Sequence, residues 1–483
     1  MTGGIARMTG IVLALTGVVF APPAAAQGLA LDPTGNWQGT LDLGASKLRL
    51  GLHVTRNDAG LYNSTLDSID QGALAMPVRT TTVKGAEIVL ELPDLGAVFD
   101  GTINPQSSEI SGLFTQRGAT LMLSFSRVEK VESVSRPQEP KPPFPYTSED
   151  VTVENTAAAV KLAGTLTRPS GTGPFPAAIL IPGSGPQDRD ETLFGHKPFL
   201  LISDYLTRRG VAVLRLDDRG VGGSTGNSTQ ATLDDDASDV GAAIDFLKSR
   251  KEIDSRKIGL IGHSEGAMVA VIEAARSADV GWLVMLAGAG VSGEQVLYKQ
   301  AELIALAAGA SPDAIQQQRT WQETVFRILK TESDEKAATK KILDAWERTL
   351  LTLPNAQRAE AEAAKGVMES QVAGAVTPEF RSILAHDPAP LLRRIKAPVL
   401  AMGGSGDLQI SAEQNLPAIA AALASGGNED YTITSLPGLN HLFQTCTVCI
   451  PTEYATIEET FSPKALDVMG DWIARHTQSS PHQ

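Results

Sequence analysis

From about Val151 to the C-terminus the chain repeats one unit: a short, nearly continuous apolar run, a turn, then an amphipathic stretch. "AAILIPGSG", "VAVLRLDDRG", "KIGLIGHS", "GWLVMLAGAG" and "APVLAMGGSGD" are the apolar runs; "FLLISDYLTRRG", "DDDASDVGAAIDFLKSR" and "EGAMVAVIEAARS" lie between them. A strand that is apolar on both faces has to be covered on both faces. The pattern therefore predicts an α/β fold, a mostly parallel sheet with helices packed on either side. In such sheets ligands gather beyond the carboxyl ends of the strands, so that is where chemistry is expected.

The alternation stops at about 293–386. There "GEQVLYKQAELIALAAG", "DAIQQQRTWQETVFRILK", "SDEKAATKKILDAWERTL" and "NAQRAEAEAAKGVMESQV" all carry helical periodicity. An all-helical insertion between two sheet strands should roof their carboxyl ends as a cap. Afterwards the chain resumes with a helix from about Ala412 to Ala424, a strand in "DYTITSLPG" and a last helix near "PKALDVMGDWIARH".

Upstream the period changes. Residues 27–134 hold short alternating runs such as "LRLGLHVTR", "AVFDGTIN" and "ATLMLSFSR", separated by Gly and Asn/Asp turns, which predict a small all-β barrel or sandwich. Trp37 at its start is expected to close one end of that core rather than to line a ligand cavity. "SRPQEPKPPFPYTSED", residues 135–150, is a proline-rich linker expected to run extended rather than packed. The α/β unit then occupies 151–483. Residues 1–26 read as a secretory signal, with Arg7, the apolar "IVLALTGVVF" and a small-residue cut after Ala26, so the mature protein is expected to be periplasmic or secreted. No later apolar run is long enough to span a bilayer. A formal net charge of −14 without a basic cluster argues against nucleic acid or an anionic membrane as partner. Oligomeric state is not legible.

The pattern G-x-S-x-G occurs twice, at Gly222–Gly226 and at Gly262–Gly266. With 45 glycines in the chain the pattern alone decides nothing. Context does. Ser264 ends a predicted strand and opens a predicted helix, the geometry that holds a serine on a strained elbow with its hydroxyl exposed. Ser224 trails its strand by several residues and runs into the polar "NSTQATLDDD", so it reads as a loop serine. A serine needs a base and the base needs an orienting acid. His441 in "SLPGLNHLFQ" follows the last predicted strand, whereas His386 comes too early and His476 and His482 lie in the terminal helix and tail. Asp407, after "VLAMGGSG", is the expected acid, with Asp387 its competitor. An oxyanion requires backbone donors, expected from the N–H of Glu265 and from Ser184 or Gly185 in "IPGSGPQDRD". That turn lacks a P-loop signature, and no cofactor or metal is expected.

In family order, "PGSGPQDRD", "LDDRGVGGSTG", "GHSEGA", "GSGDLQI" and "GLNHLFQ" make the chain from about Val151 onward resemble the α/β-hydrolase superfamily. More narrowly it looks like exported bacterial serine esterases and serine aminopeptidase-like hydrolases. The resemblance implies Ser264 as nucleophile, Asp407 as acid and His441 as base, acting on a small-molecule ester through an acyl-enzyme. A peptidase using the same triad is the alternative, with Glu265, Asp188, Asp190 and Glu191 as candidates for holding a substrate amine. A ligand-binding protein with an inactive hydrolase domain is a second. The elbow ends Gly266-Ala267, where relatives often carry two glycines. Cys446 and Cys449 fall outside the general pattern; a local disulfide or idle thiols are expected there before a redox or zinc site.

Overall fold

Two sheets organise the computed structural model, which describes residues 32–477 apart from 43–46, 105–107, 117–118, 133–134 and 364. The expected signal segment lies outside these residues. The first sheet is antiparallel throughout: β1 (Gly35–Asp42), β2 (Lys47–Arg56), β3 (Tyr62–Ser68), β4 (Ala73–Val78), β5 (Thr80–Lys84), β6 (Glu87–Leu92), β7 (Ala97–Asn104), β8 (Glu109–Gln116) and β9 (Ala119–Val128). Its order is β4-β3-β2-β1-β9-β8-β7-β6-β5. The two outer strands are consecutive in the chain, and the Thr81 hydroxyl of β5 donates to Ser64 Oγ of β3 (2.9 Å), so the sheet curls into one near-barrel rather than two stacked sheets. Strict alternation along β7 sends Phe99 and Ile103 inward beside Trp37, Leu52, Ile88, Ile110 and Phe125. Trp37 is sealed there, its Nε1 donating to Pro33 O (2.9 Å) with the Arg127 guanidinium over its ring.

The linker is extended, but it is not free. Arg136 donates to the carbonyls of Phe194, Ala455 and Ile457. Gln138 donates to Phe461 O and accepts from Thr460 N. The expectation of an unpacked linker is therefore corrected: a single half-buried guanidinium satisfies three loop carbonyls and ties the segment down.

The second sheet has the order β10-β11-β13-β12-β14-β15-β16-β17, formed by β10 (Thr147–Asn155), β11 (Val160–Arg168), β12 (Phe175–Ile181), β13 (Ala212–Leu216), β14 (Ile253–His263), β15 (Trp282–Leu286), β16 (Val399–Gly404) and β17 (Tyr431–Leu436). β10, β11 and β13 pair antiparallel at one edge, and every pair from β13 onward is parallel. α1 (Pro198–Arg208), α2 (Leu233–Lys248) and α3 (Glu265–Arg276) follow β12, β13 and β14 in turn. α2 starts on a capping box, the Thr232 hydroxyl against Asp235 N and the Asp235 carboxylate against Thr232 N.

After β15 comes the cap: α4 (Gly293–Ala307), α5 (Pro312–Thr331), α6 (Glu335–Leu350), α7 (Asn355–Ala363), α8 (Lys365–Ala375) and α9 (Pro378–Ala385). Phe326, Ile328, Ala338, Ile342, Val372 and Leu384 give it a hydrophobic core of its own. α9 brings the cap down to the carboxyl ends of the strands, where the Ser382 hydroxyl accepts from Leu233 N (3.2 Å). α10 (Ala389–Leu392), α11 (Ala412–Ser425) and α12 (Pro463–Thr477) complete the fold. Among the described residues no helix is long and apolar enough to cross a membrane.

Candidate active site

β14 is flanked by β12 and β15, and its last residue is His263. Ser264 follows with φ 56° and ψ −116°, a left-handed conformation that a side chain rarely adopts, and α3 starts at the next residue. Packing enforces the strain. A Cβ on Gly262 would run into the backbone of Gly266, and one on Gly266 into the carbonyl oxygens of Ile181 and Pro182. Strand, elbow and helix therefore close to a distance only glycines permit. The Ser264 N–H is spent on Leu286 O (2.8 Å), while its hydroxyl has no hydrogen-bond partner among the described residues. As the first residue of α3, Glu265 has no carbonyl one turn back for its N–H.

Asp407 lies in the turn after β16 and His441 in the loop after β17. Asp407 Oδ2 accepts from His441 Nδ1 at 2.8 Å, and Oδ1 accepts from the N–H groups of Gln409 and Ile410, each at 2.8 Å. With Oδ2 accepting from Nδ1, the imidazole is held in the tautomer that carries its proton there. The rings of His441 and of His263, the residue before Ser264, have centroids 4.8 Å apart. Backbone bonds zip the two loops together: Ser405 N to Leu436 O and Gly406 N to Leu439 O, both 2.9 Å. Cys446 and Cys449 are joined by a disulfide packed on Gly406, so the expectation of a local bridge agrees with the structure.

The other candidates fall elsewhere. Ser224 Oγ donates to Asp217 O (2.8 Å) and accepts from Ala163 N (2.9 Å), which leaves it nothing to do as a nucleophile. Asp387 is exposed and caps the turn into α10 through Ala389 N (3.1 Å). His386 is buried, which pushes its pKa down to about 4. In the turn after β12, the Gly185 N–H is occupied, donating to Glu379 Oε1 of the cap (3.0 Å); the neighbouring Ser184 is exposed. Gly185 is therefore engaged by a carboxylate rather than open to an oxyanion, and Ser184 is the donor left in that turn.

The acidic residues proposed for an amine are mostly used up as well. Asp188 accepts from Asp190 N and Thr192 N, Asp190 pairs with Arg215, and Glu191 accepts from Gly183 N and faces His263. Glu265 is different. It is buried with Oε2 unpartnered among the described residues, and burial, then the charges of Glu379, Asp236 and Asp218, push its carboxyl well above the usual range. Asp218 is likewise pushed well up by burial, and Asp236 up to about 7. Glu265, Asp218, Asp236 and Glu379 thus form an acidic cluster behind the elbow. Sequence reasoning missed it because its members come from α2, α3, α9 and the loop after β13. Among the described residues no group of His, Cys, Asp and Glu could hold a metal ion.

A serine elbow in this sheet, with an acid and a histidine on the following loops, defines a hydrolase architecture, and the chain belongs to the α/β hydrolase family, whose profile matches residues 178–446. Among proteins of known name it is 28% identical over 347 residues to Esterase EstD of Thermotoga maritima, covering 71% of this chain and 72% of that protein. Among solved structures, the Pyrococcus furiosus esterase PF2001 aligns over 72% of this chain and all (100%) of its own, with 16% identity and a TM-score of 0.42. The hypothetical protein PA2218 of Pseudomonas aeruginosa aligns over 70% of this chain and 96% of its own, with 16% identity and a TM-score of 0.44.

Proposed function

We propose that this chain hydrolyses carboxylic esters of small molecules by two-step acyl transfer. The Ser264 hydroxyl attacks the ester carbonyl while His441 Nε2 takes its proton. The alcohol leaves with that proton, and water, deprotonated by the same imidazole, then releases the acid. Asp407 holds the ring and balances its transient charge. The N–H groups of Glu265 and Ser184 receive the oxyanion. The observation that carries the reading is the buried Asp407–His441 hydrogen bond beside a strained serine whose hydroxyl is uncommitted. The relative named an esterase favours esters as the substrate class.

The test is turnover of short p-nitrophenyl acyl esters and of aminoacyl p-nitroanilides by wild type and Ser264→Ala. Ester turnover lost in the variant is the expected result. Anilide turnover alone would make the enzyme a peptidase with the same triad, and no turnover of either would leave a binding protein. Export follows the same logic: residues 1–26 are read as a cleaved signal, and an N-terminus starting at Gln27 in the mature protein is the expected finding.

A further inference from the structure

His263 precedes the nucleophile and is only 5% exposed. Both of its ring nitrogens meet acceptors. Nδ1 is 2.7 Å from Glu191 Oε1, and Nε2 is 3.0 Å from the carbonyl oxygen of His441. A neutral imidazole has one N–H and can serve just one acceptor, so the pair of contacts favours the imidazolium. Burial opposes that charge, but the Glu191 carboxylate, the His441 carbonyl and the charge of Asp407 outweigh it and hold the ring above the ordinary histidine range. Glu191 is itself 2% exposed and held at φ 51°. The same Oε1 also accepts the Gly183 N–H at 2.8 Å. Phe199, Ile202, Leu286, Leu442 and Phe461 wall the pair off from water.

This one ion pair therefore reaches three segments that the chemistry needs in register. Through Gly183 it holds the turn that presents Ser184; through His263 it holds the elbow; through the His441 carbonyl it holds the loop of the base. We infer that Glu191 and His263 are the positioning residues of this site, locking oxyanion turn, elbow and base loop together and fixing a buried positive charge beside the reacting carbonyl. Neither touches substrate. The titratable groups facing the pair are Asp407 from the turn after β16 and, toward Glu191, Asp218 from the loop after β13.

The inference rests on Ser264 being the nucleophile, so its test has one arm that does not. In full-length protein with ¹⁵N-labelled histidine rings, His263 is expected to show two protonated nitrogens from about pH 6 to about pH 8. A neutral tautomer there overturns the inference whatever the protein hydrolyses. In the second arm, Glu191→Gln should lower kcat for a p-nitrophenyl ester about 10- to 100-fold with KM within about twofold, and slow phosphonylation of Ser264 in parallel. Glu191→Asp, which keeps the carboxylate, should recover part of that loss. A merely structural pair would lower the melting temperature and leave kcat of the folded enzyme unchanged, which overturns the inference. Loss of ester turnover in Ser264→Ala separately reports whether the underlying reading stands.

Discussion

Two turns of this molecule spell the same five-residue pattern and share almost nothing else. Around Ser224 the backbone is relaxed and the hydroxyl is saturated by Asp217 O and Ala163 N, so the serine fastens the loop to β11. Around Ser264 the backbone is forced into a left-handed conformation and the hydroxyl has no such partner. A serine hydroxyl that is already satisfied is structure; one held in strain and left open is available for chemistry. What separates them is the close contact of β14, α3 and the β12 carboxyl end, which only the second turn has.

The largest effect that could break this contrast is on turnover. Ser264→Ala should reduce ester kcat by about 10³-fold or more, whereas Ser224→Ala should keep kcat and lose about 1–2 kcal/mol of stability from its two hydrogen bonds. Equal activity losses would remove the distinction. Next comes the packing that enforces the strain. Gly266→Ala drives a methyl into the Ile181 and Pro182 carbonyls and should cost about 3 kcal/mol in denaturant unfolding. An unchanged midpoint would mean that the elbow is looser than its contacts require.

How the two turns differ could be read from the sequence, because strand and helix periodicity bracket Ser264 and not Ser224. The same periodicity revealed β12 to β16, whose runs are apolar on both faces, and β17, which alternates at the sheet edge. It did not reveal β10 and β11, where "VTVENTAAAVKLAG" alternates polar and apolar because this edge pair is only partly covered. Nor did it show β3 and β4, since β4 buries little beyond Val78. Asp407 and His441 were found from chain order after the strands. Glu191 against His263 was not, because the partners are far apart in sequence and each carries its meaning only once the loops meet. Glu379 on Gly185 is a single carboxylate on a cap helix, and nothing local marks it.

A smaller effect sharpens the electrostatic side of the contrast. Glu265, Asp218 and Asp236 have raised folded-state pKa values, so their contribution to stability is fully present below the unfolded values and is lost as pH rises through the folded ones. For Asp236 that window runs from 3.8 to about 7. Thermal melts should therefore show stability falling from mildly acidic toward alkaline pH. Glu265→Gln should flatten the fall and gain roughly 1–3 kcal/mol on the alkaline side. A pH-independent gain would contradict the assignment.

The smallest effect is on backbone strain. Ser264→Gly should stabilise by about 1 kcal/mol while abolishing turnover, because glycine accepts the left-handed conformation; Ser224→Gly should destabilise. Urea midpoints with the same sign at both positions would mean that the strain is not localised at the elbow.

The most direct measurement is intact-mass and peptide mapping after treatment with a serine-reactive fluorophosphonate. The account predicts one adduct, on the peptide carrying Ser264, retained in Ser224→Ala and lost in Ser264→Ala. An adduct on Ser224, or undiminished labelling of Ser264→Ala, would contradict it.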